Sequence, residues 1–397
     1  MFEMAITLKV LTLNCWGVFT PLACDYRNKR IMAIGDELAK GEYDIVMLQE
    51  IWTQADYVIL SNKVASVFPH HHYFHSGMFG SGLCVFSKSP IIEIFTMRYS
   101  INGYAHKIHH GDWFGNKAVG LAKIEYKGLK INLYITHALA EYNIENDEYI
   151  AQRMVQAYEL SQFVKHTGET SDINIVGGDF NMRAEELGYR VITTNGNLED
   201  AWLKQKEAPV TNTGMTSETP RNSFTNPKKL KIQPHGERID FLMFRSNGGF
   251  TMECEKCYLP LDKVPDQTYS YSDHEAVAAI FTIRKNITAM TKQLDIPSRN
   301  KNFEEAVPVL QKGIKKAQFD RNVYIAALIL GLVAFFFLDC IPMPYGLGWV
   351  LSCVEYTLVL GVVFSIWMSV VMCPVEENAC IAAQKDMLII LNSDKIK

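Results

Sequence analysis

The sequence predicts an α/β fold in which two mixed β-sheets pack as a sandwich between helices, with a C-terminal pair of transmembrane helices. Three observations carry this. Strand-like apolar alternations and helical periodicities succeed one another from Ile6 to Ile283, with several hairpins among them, so a plain parallel doubly wound sheet does not fit. The polar residues of interest sit where predicted strands end, which is where α/β folds build sites. Near the C-terminus, Val323–Leu338 and Leu347–Cys373 are apolar runs of membrane-spanning character, the second interrupted only by Glu355 and a few small polar residues.

In chain order, Ile6–Asn14 alternates as a strand and ends at Asn14-Cys-Trp-Gly. Tyr26–Lys40 has helical periodicity and stops at Gly41. Tyr43–Leu48 is an apolar strand running into Gln49-Glu50. Asp56–Val67 reads as a helix, Gly82–Ser87 as a strand, and Pro90 opens another. Lys117–Tyr126 and Leu129–Thr136 form strands joined by a Lys-Gly turn, the second ending in His137. Glu145–His166 is a long amphipathic helix. Ile173–Met182 then runs as a β-branched strand into Gly177-Gly-Asp-Phe-Asn-Met, after which Glu185–Ile192 is helical. Pro209–Pro234 is rich in Thr, Asn and Pro and reads as a loop. Arg238–Phe244 is a strand carrying Asp240, and Ser270-Tyr-Ser-Asp-His precedes a last strand, Ala276–Ile283. Asn286–Gln318 reads as a linker broken by Pro297 and Pro308. The expected organisation is a catalytic domain over 1–285, a linker with juxtamembrane helices over 286–321, two transmembrane helices over 322–375 and a cytosolic tail over 376–397.

The formal net charge of −4 argues against a protein that lives on the electrostatics of bulk nucleic acid. Nine cysteines are scattered without a regular framework and read as free thiols of a reducing compartment. Met1–Leu13 carries Glu3 and Lys9 and is not a continuous signal-peptide core. Lys and Arg flank the apolar runs, at Lys312–Arg321 and from Lys385, while the turn Asp339–Gly346 has none. By the positive-inside tendency both ends, and the long N-terminal domain with them, face the cytosol.

Six polar positions end predicted strands: Asn14, Glu50, His137, Asp179 with Asn181, Asp240, and Asp273 with His274. Asp179 and Asn181, two apart, project from one strand end. A carboxylate with neighbouring amides is a Mg²⁺ environment, since Mg²⁺ takes oxygen ligands and keeps several waters. His274 is the natural base, oriented by Asp240 or Asp273. His70-His71-His72 with His75 suggests a metal cluster at first sight, but nothing completes a ligand set there, and a solvated loop is the preferred reading.

Asn14, Leu48-Gln-Glu50, Gly178-Asp-Phe-Asn181, Arg238-Ile-Asp240 and Ser272-Asp-His274 resemble, in order, the motifs of the DNase I-like endonuclease/exonuclease/phosphatase superfamily. The resemblance spans about Ile6 to Ile283 and implies two packed mixed sheets flanked by helices. It implies that Glu50 binds Mg²⁺ with Asn14 beside it, and that Mn²⁺ may substitute. It also implies that His274 is the general base, Asp240 its orienter, and Asp179 and Asn181 the residues that position nucleophile and phosphate. Asp273 would support the site or a second metal, and His137 would bond a phosphate oxygen.

Further stretches resemble the neutral sphingomyelinases, above all those of type 1 with a C-terminal membrane hairpin. They are Gly80–Lys88, Asn102-Gly-Tyr104, His109–Phe114, Lys117–Gly120 and Thr136–Tyr142. In that family an Asp and a Lys five residues apart control site assembly and phosphate contact, a spacing that Asp112 and Lys117 match. Trp113 and Phe114 would meet the bilayer or the choline cation. The resemblance implies Mg-dependent, phospholipase C-type hydrolysis of sphingomyelin to ceramide and phosphocholine, in the endoplasmic reticulum. Implied partners are sphingomyelin, the bilayer and an anionic lipid, and no nucleic acid; Gly331, Gly346, Gly348 and Gly361 would let the apolar helices pack with one another or with a second chain. The rivals are hydrolysis of lyso-platelet-activating factor or another lysophosphocholine lipid, a nuclease, and an inositol-phosphate phosphatase.

Overall fold

The computed structural model of the protein describes residues 5–20, 24–207, 213–338, 346 and 348–396. Its strands are β1 Ile6–Asn14, β2 Ile45–Gln49, β3 His70–Phe74, β4 Leu83–Ser87, β5 Ile91–Arg98, β6 Ala118–Tyr126, β7 Leu129–His137, β8 Ile173–Asp179, β9 Glu199–Asp200, β10 Asp240–Ser246, β11 Gly249–Tyr258 and β12 Val277–Asn286. Its helices are α1 Arg27–Leu38, α2 Gln54–Val64, α3 Asp112–Gly115, α4 Ile150–Thr167, α5 Leu187–Gly196, α6 Ala201–Lys204, α7 Pro227–Leu230, α8 Ile296–Leu338, α9 Gly348–Trp367 and α10 Cys373–Ile396.

One six-stranded sheet has the order β11-β12-β1-β2-β4-β3, the other β5-β6-β7-β8-β10-β9. Only β1–β2 and β7–β8 pair in parallel among the described ladders; the remaining pairs are antiparallel. The expected mixed-sheet sandwich is what forms. Alternation explains it: Leu8 and Val10 of β1, Ile131, Leu133 and Ile135 of β7, and Leu242 and Phe244 of β10 fill one core shared by both sheets. Leu11 and Leu13 point the other way, into a core with Ile31, Ile34 and Leu38 of α1. Tyr134 and Val176 point likewise into a core with Leu160 and Val164 of α4.

The structure corrects several expectations. His70–His72 lie on β3, an edge strand paired with β4, and not in a loop; His71 Nδ1 lies 2.6 Å from the Tyr57 hydroxyl. Helix α4 begins at Ile150 and not at Glu145. Asn143 Oδ1 accepts from the Glu145 and Asn146 amides and Asp147 Oδ1 from that of Tyr149, turns that compete with the helix. β11 has no counterpart in the sequence reading. Its charged Glu253, Glu255 and Lys256 and a register shift between Cys254 and Lys256 break the period of two. It also carries a C-x-x-C pair, Cys254 and Cys257, both buried free thiols, so the cysteines are not all scattered. Burial pushes the Cys254 thiol up to about 12 and raises Cys257 as well, which makes both inert.

The described chain divides into two compact units, Met1–Tyr149 with Gln156–Asn302, and Ile150–Val155 with Phe303–Lys397. In the second, the expected juxtamembrane helices are, from Ile296 on, one continuous helix, α8, that runs on into the first apolar run. Pro297 falls in its first turn, where no amide hydrogen is missed, and Pro308 is accommodated inside it. Phe303, Ala306, Leu310, Ile314 and Ala317 are buried on α8, as are Cys380, Ala383, Met387 and Leu391 on α10, so the expected tail is helical. Arg321 Nη1 donates to Glu377 Oε2 at 2.9 Å across these helices. Beyond this packed part, Ile329, Leu330, Phe336 and Phe337 of α8 and Tyr356, Leu360 and Val363 of α9 are exposed. Both helices are long and apolar enough to cross a membrane. The expected lumenal turn, Asp339–Gly346, lies outside the described residues apart from Gly346. A Cβ on Gly331 would meet Val362 Cγ2 at 2.8 Å, so this glycine packs α8 on α9 within one chain, whereas Gly348 and Gly361 face open space.

Candidate functional site

The face that is apolar between the sheets turns polar at one end. Asn14, His137 and Asp179 are the last inward-facing residues of β1, β7 and β8, and Asp240 is the first of β10. Register places Asp179 opposite both His137 and Asp240. Parallel strands end, and antiparallel ones begin, at the same edge, so these four strands, remote in sequence, deliver their polar ends to one place. Gly178 permits the closest approach. Its φ is 141°, and a Cβ there would fall 1.9 Å from the Thr136 carbonyl oxygen. Glu50 and Asn181 adopt φ of 58° and 48°, left-handed turns that aim both side chains from the strand ends.

His274 Nδ1 lies 2.9 Å from Asp240 Oδ2, and its Nε2 lies 4.0 Å from Asp179 Oδ2. Asp240 therefore fixes the Nδ1–H tautomer and turns Nε2 toward Asp179. Asn14 Nδ2 donates to Glu50 Oε1 and Asp179 Oδ2, each at 3.0 Å, and its own oxygen accepts from the Trp16 amide. Asn14 thus bridges the two carboxylates through its NH₂ group. Ser272 Oγ donates to the Asn14 carbonyl at 2.6 Å and lies 3.2 Å from Asp273 Oδ1, which ties the His274 turn to β1.

Lys117 is 3% exposed, and its ammonium is surrounded by His137 Nε2 at 2.9 Å, the Ala138 carbonyl at 2.8 Å and Asp112 Oδ1 at 2.9 Å. Three protons meet three acceptors. The His137 nitrogen turned to the pocket is therefore an acceptor, and it lies 3.5 Å from Asp179 Oδ2. Tyr142 donates to Asp112 Oδ2 at 2.6 Å and stacks on His110 at 3.7 Å. Asn181 donates from its backbone to Asp179 Oδ1 at 2.8 Å and from its side chain to the Ala138 carbonyl at 2.9 Å.

Burial and the Asp240 carboxylate raise Asp179, and burial raises Asp273 to about 6. Burial, Lys117 and His274 hold His137 well below its usual range, as neutral imidazole. Burial alone would lower His274, but Asp240, Asp179 and Asp273 hold it well above. Asp179, Asp240 and His274 are the metal-spaced His/Cys/Asp/Glu group among the described residues, their ligand atoms within 4.8 Å of one another. Asp240 Oδ1 is buried without a hydrogen-bond partner among the described residues. A hard divalent cation fits this oxygen-rich, carboxylate-dominated donor set.

All ten residues singled out from the sequence converge here. The sequence reading did not assign roles to Trp52, Tyr142 or Arg30. Trp52 Nε1 donates to Glu50 Oε2 at 3.3 Å, and the indole packs on Gly115. From there an aromatic track leads outward: Phe114 lies 6.2 Å from Phe79, and Phe79 lies 5.4 Å from the half-exposed Phe19. A charged residue on the apolar face of α1 is the one signal that marks Arg30 in advance.

Residues 11–274 match the endonuclease/exonuclease/phosphatase family model. A Caenorhabditis elegans protein provisionally named a neutral sphingomyelinase is 38% identical over 97% of this chain and 91% of its own length. Sphingomyelin phosphodiesterase 2 of Homo sapiens is 38% identical over 70% of this chain and 66% of its own. A Staphylococcus aureus β-toxin variant solved with bound magnesium ions shares the fold. Its TM-score is 0.52 at 20% identity, over 69% of this chain and 99% of that one.

Proposed function

The chain belongs to the endonuclease/exonuclease/phosphatase family, in its neutral sphingomyelinase branch, and from that premise we propose how its residues divide the work. The reaction is phospholipase C-type hydrolysis of sphingomyelin. Water attacks phosphorus, the bond to the ceramide oxygen breaks, and phosphocholine and ceramide leave. The observation that carries the assignment is the Asp240–His274 pair, 2.9 Å apart and turned toward Asp179. His274 Nε2 takes the water proton, Asp240 holds the ring, and Asp179 and Asn181 orient water and phosphate. Lys117 gives up one of its three partners to donate to a phosphate oxygen, with Asp112 and Tyr142 setting its rest position. His137 is the neutral group that steers Lys117, and Asp273 supports the turn.

Glu50 would hold Mg²⁺, for which Mn²⁺ would stand in, and Asn14 fixes the Glu50 carboxylate through its amide. The ion, when bound, stabilises charge on the phosphoryl oxygens and leaving alkoxide and offsets the carboxylate field around His274.

Phosphocholine release from sphingomyelin in mixed micelles tests this reading directly. Release is expected, and none from a folded protein would overturn it. Faster release from lysophosphocholine lipids would move the substrate to that alternative, and cleavage of abasic DNA instead would move it to the nuclease rival.

Residues 1–285 are the catalytic part of this reading and 322–375 its membrane spans, with the catalytic part in the cytosol at the endoplasmic reticulum. An anionic lipid at the basic flank Lys312–Arg321 is part of the same reading. Asn286-Ile-Thr288 is an exposed glycosylation acceptor pattern. Expressed in secretory-competent cells, the protein is expected to show no mobility change on glycosidase treatment; a glycan at Asn286 would overturn the topology. The rim of Phe19, Phe79, Trp113 and Phe114 meets the bilayer that holds the substrate. Phe19→Ser with Phe79→Ser is expected to slow hydrolysis in vesicles about tenfold, in line with losing the burial of two aromatic side chains. Hydrolysis of a monomeric short-chain substrate should stay the same; equal loss on both substrates would remove this role.

A further inference from the structure

The structure assigns to Arg30 the role of a positioning residue that sets the spacing between the β1 exit and the His274 turn. Arg30 is 0% exposed, on the face of α1 that also buries Ile31, Ile34 and Leu38. A core position that merely needs filling is met better by an apolar side chain, because a buried guanidinium loses its hydration. No carboxylate pairs with this one among the described residues. What it has instead is five donors and five acceptors. Nε donates to the Asp25 carbonyl at 2.9 Å. Nη1 donates to the carbonyls of Cys15 at 2.8 Å and Tyr271 at 3.1 Å. Nη2 donates to the Trp16 carbonyl at 2.7 Å and to Cys24 Sγ at 2.8 Å.

Three of those acceptors adjoin the site. Cys15 and Trp16 follow Asn14 directly, and Tyr271 precedes Ser272-Asp273-His274. The planar fork therefore holds two backbone segments more than 240 residues apart in sequence at a fixed separation. The Ser272 hydroxyl on the Asn14 carbonyl is a second tie across the same gap. The guanidinium also lies against the edge-to-face pair of Trp16 and Phe224, 4.7 Å from the Trp16 centroid and 5.6 Å from that of Phe224. Phe224 belongs to a loop whose Asn222 donates to the Ser272 carbonyl at 2.9 Å. Displacing this junction moves His274 relative to Asp179 and Glu50, and a shift of that kind is felt in turnover more than in substrate binding.

The inference rests on His274 as the base, and the test separates the two. The full-length protein is assayed in detergent micelles as wild type, Arg30→Met, Arg30→Lys and Ser272→Ala, each also combined with His274→Ala, with kcat expressed per folded molecule. Arg30→Met is expected to lower kcat about tenfold to hundredfold with KM within about twofold. Arg30→Lys keeps the charge but has three donors for five acceptors, and should fall between Arg30→Met and wild type. With His274→Ala present, either Arg30 change should cost less than about twofold, because the group being positioned is gone. Arg30→Met that melts lower yet turns over normally per folded molecule would overturn the role. So would a loss that multiplies undiminished onto His274→Ala. If Arg30→Met does not fold, Arg30→Lys and Ser272→Ala carry the same cycle. Should His274→Ala alone keep normal activity, it is the base assignment that falls, independently of any Arg30 measurement.

Discussion

Replacing His274 by alanine is expected to leave a folded protein whose kcat is about a hundredfold to ten-thousandfold lower, the range that a positioned general base contributes. The fold has little stake in the imidazole. It stands just before β12, outside the hydrophobic clusters, and its side chain is 11% exposed. Its backbone amide bonds Ser272 Oγ at 3.3 Å and keeps that partner in the variant. What alanine removes is the Nε2 lone pair beside Asp179. Asp240→Asn is the sharper companion. The carboxylate can only accept, so it demands Nδ1–H and leaves Nε2 free to take a proton. An amide in its place can donate to Nδ1, which moves the ring proton to Nε2 and leaves no base. That variant should lose nearly as much turnover as His274→Ala, with KM close to wild type and an unchanged far-UV circular dichroism spectrum. Near-normal kcat in His274→Ala would remove the base assignment. Near-normal kcat in Asp240→Asn alone would leave His274 as base and remove the orienting role.

The reasons why these residues are legible in the sequence are local. Asp179 ends an alternating strand, Ile173-Asn-Ile-Val, after two glycines, and His137 ends another, so the inward face can be counted forward to the polar residue that closes it. Asn14 and Asp240 obey the same count, and chain order supplies the rest through motif resemblance. The misses have different causes. β11 is hidden because an edge strand with a bulge and a charged outer face has no clean period. Pro308 suggests a break, yet α8 runs through it, held on either side by the packing of Phe303, Ala306, Leu310 and Ile314. Tyr142 and Arg30 act on partners reached only after folding. The Asp112 oxygen that receives Tyr142 and the Tyr271 carbonyl that receives Arg30 are set by tertiary contacts, which no window of sequence contains.

Removing divalent cations is expected to silence the folded enzyme, by about a hundredfold to ten-thousandfold if the ion supplies several kcal/mol of charge stabilisation. The charge count explains why. Glu50, Asp179, Asp240 and Asp273 bring four carboxylates to the pocket, and the cations that face them are Lys117 and, once it has taken the water proton, His274. A phosphodiester adds another negative charge, and the transition state spreads it over oxygens that must sit near these same carboxylates. Lys117, already shared among three acceptors, does not balance that field alone. Back-titration with Mg²⁺ should restore turnover, and Mn²⁺ should do so in part. Glu50→Gln keeps the size of the side chain but, with one accepting oxygen for two donors, keeps only one of its bonds to Asn14 and Trp52, and it halves its value as a ligand. It should raise the Mg²⁺ concentration for half-maximal activity by at least about tenfold. A second readout does not depend on turnover: Mg²⁺ should raise the melting temperature of the wild type, since a ligand bound only by the folded state stabilises it, and raise that of Glu50→Gln much less at the same concentration. Full activity in excess chelator would mean that Lys117 and the backbone amides carry the phosphoryl charge themselves. Equal melting shifts in both proteins would place the ion away from Glu50, on the Asp179–Asp240–His274 group.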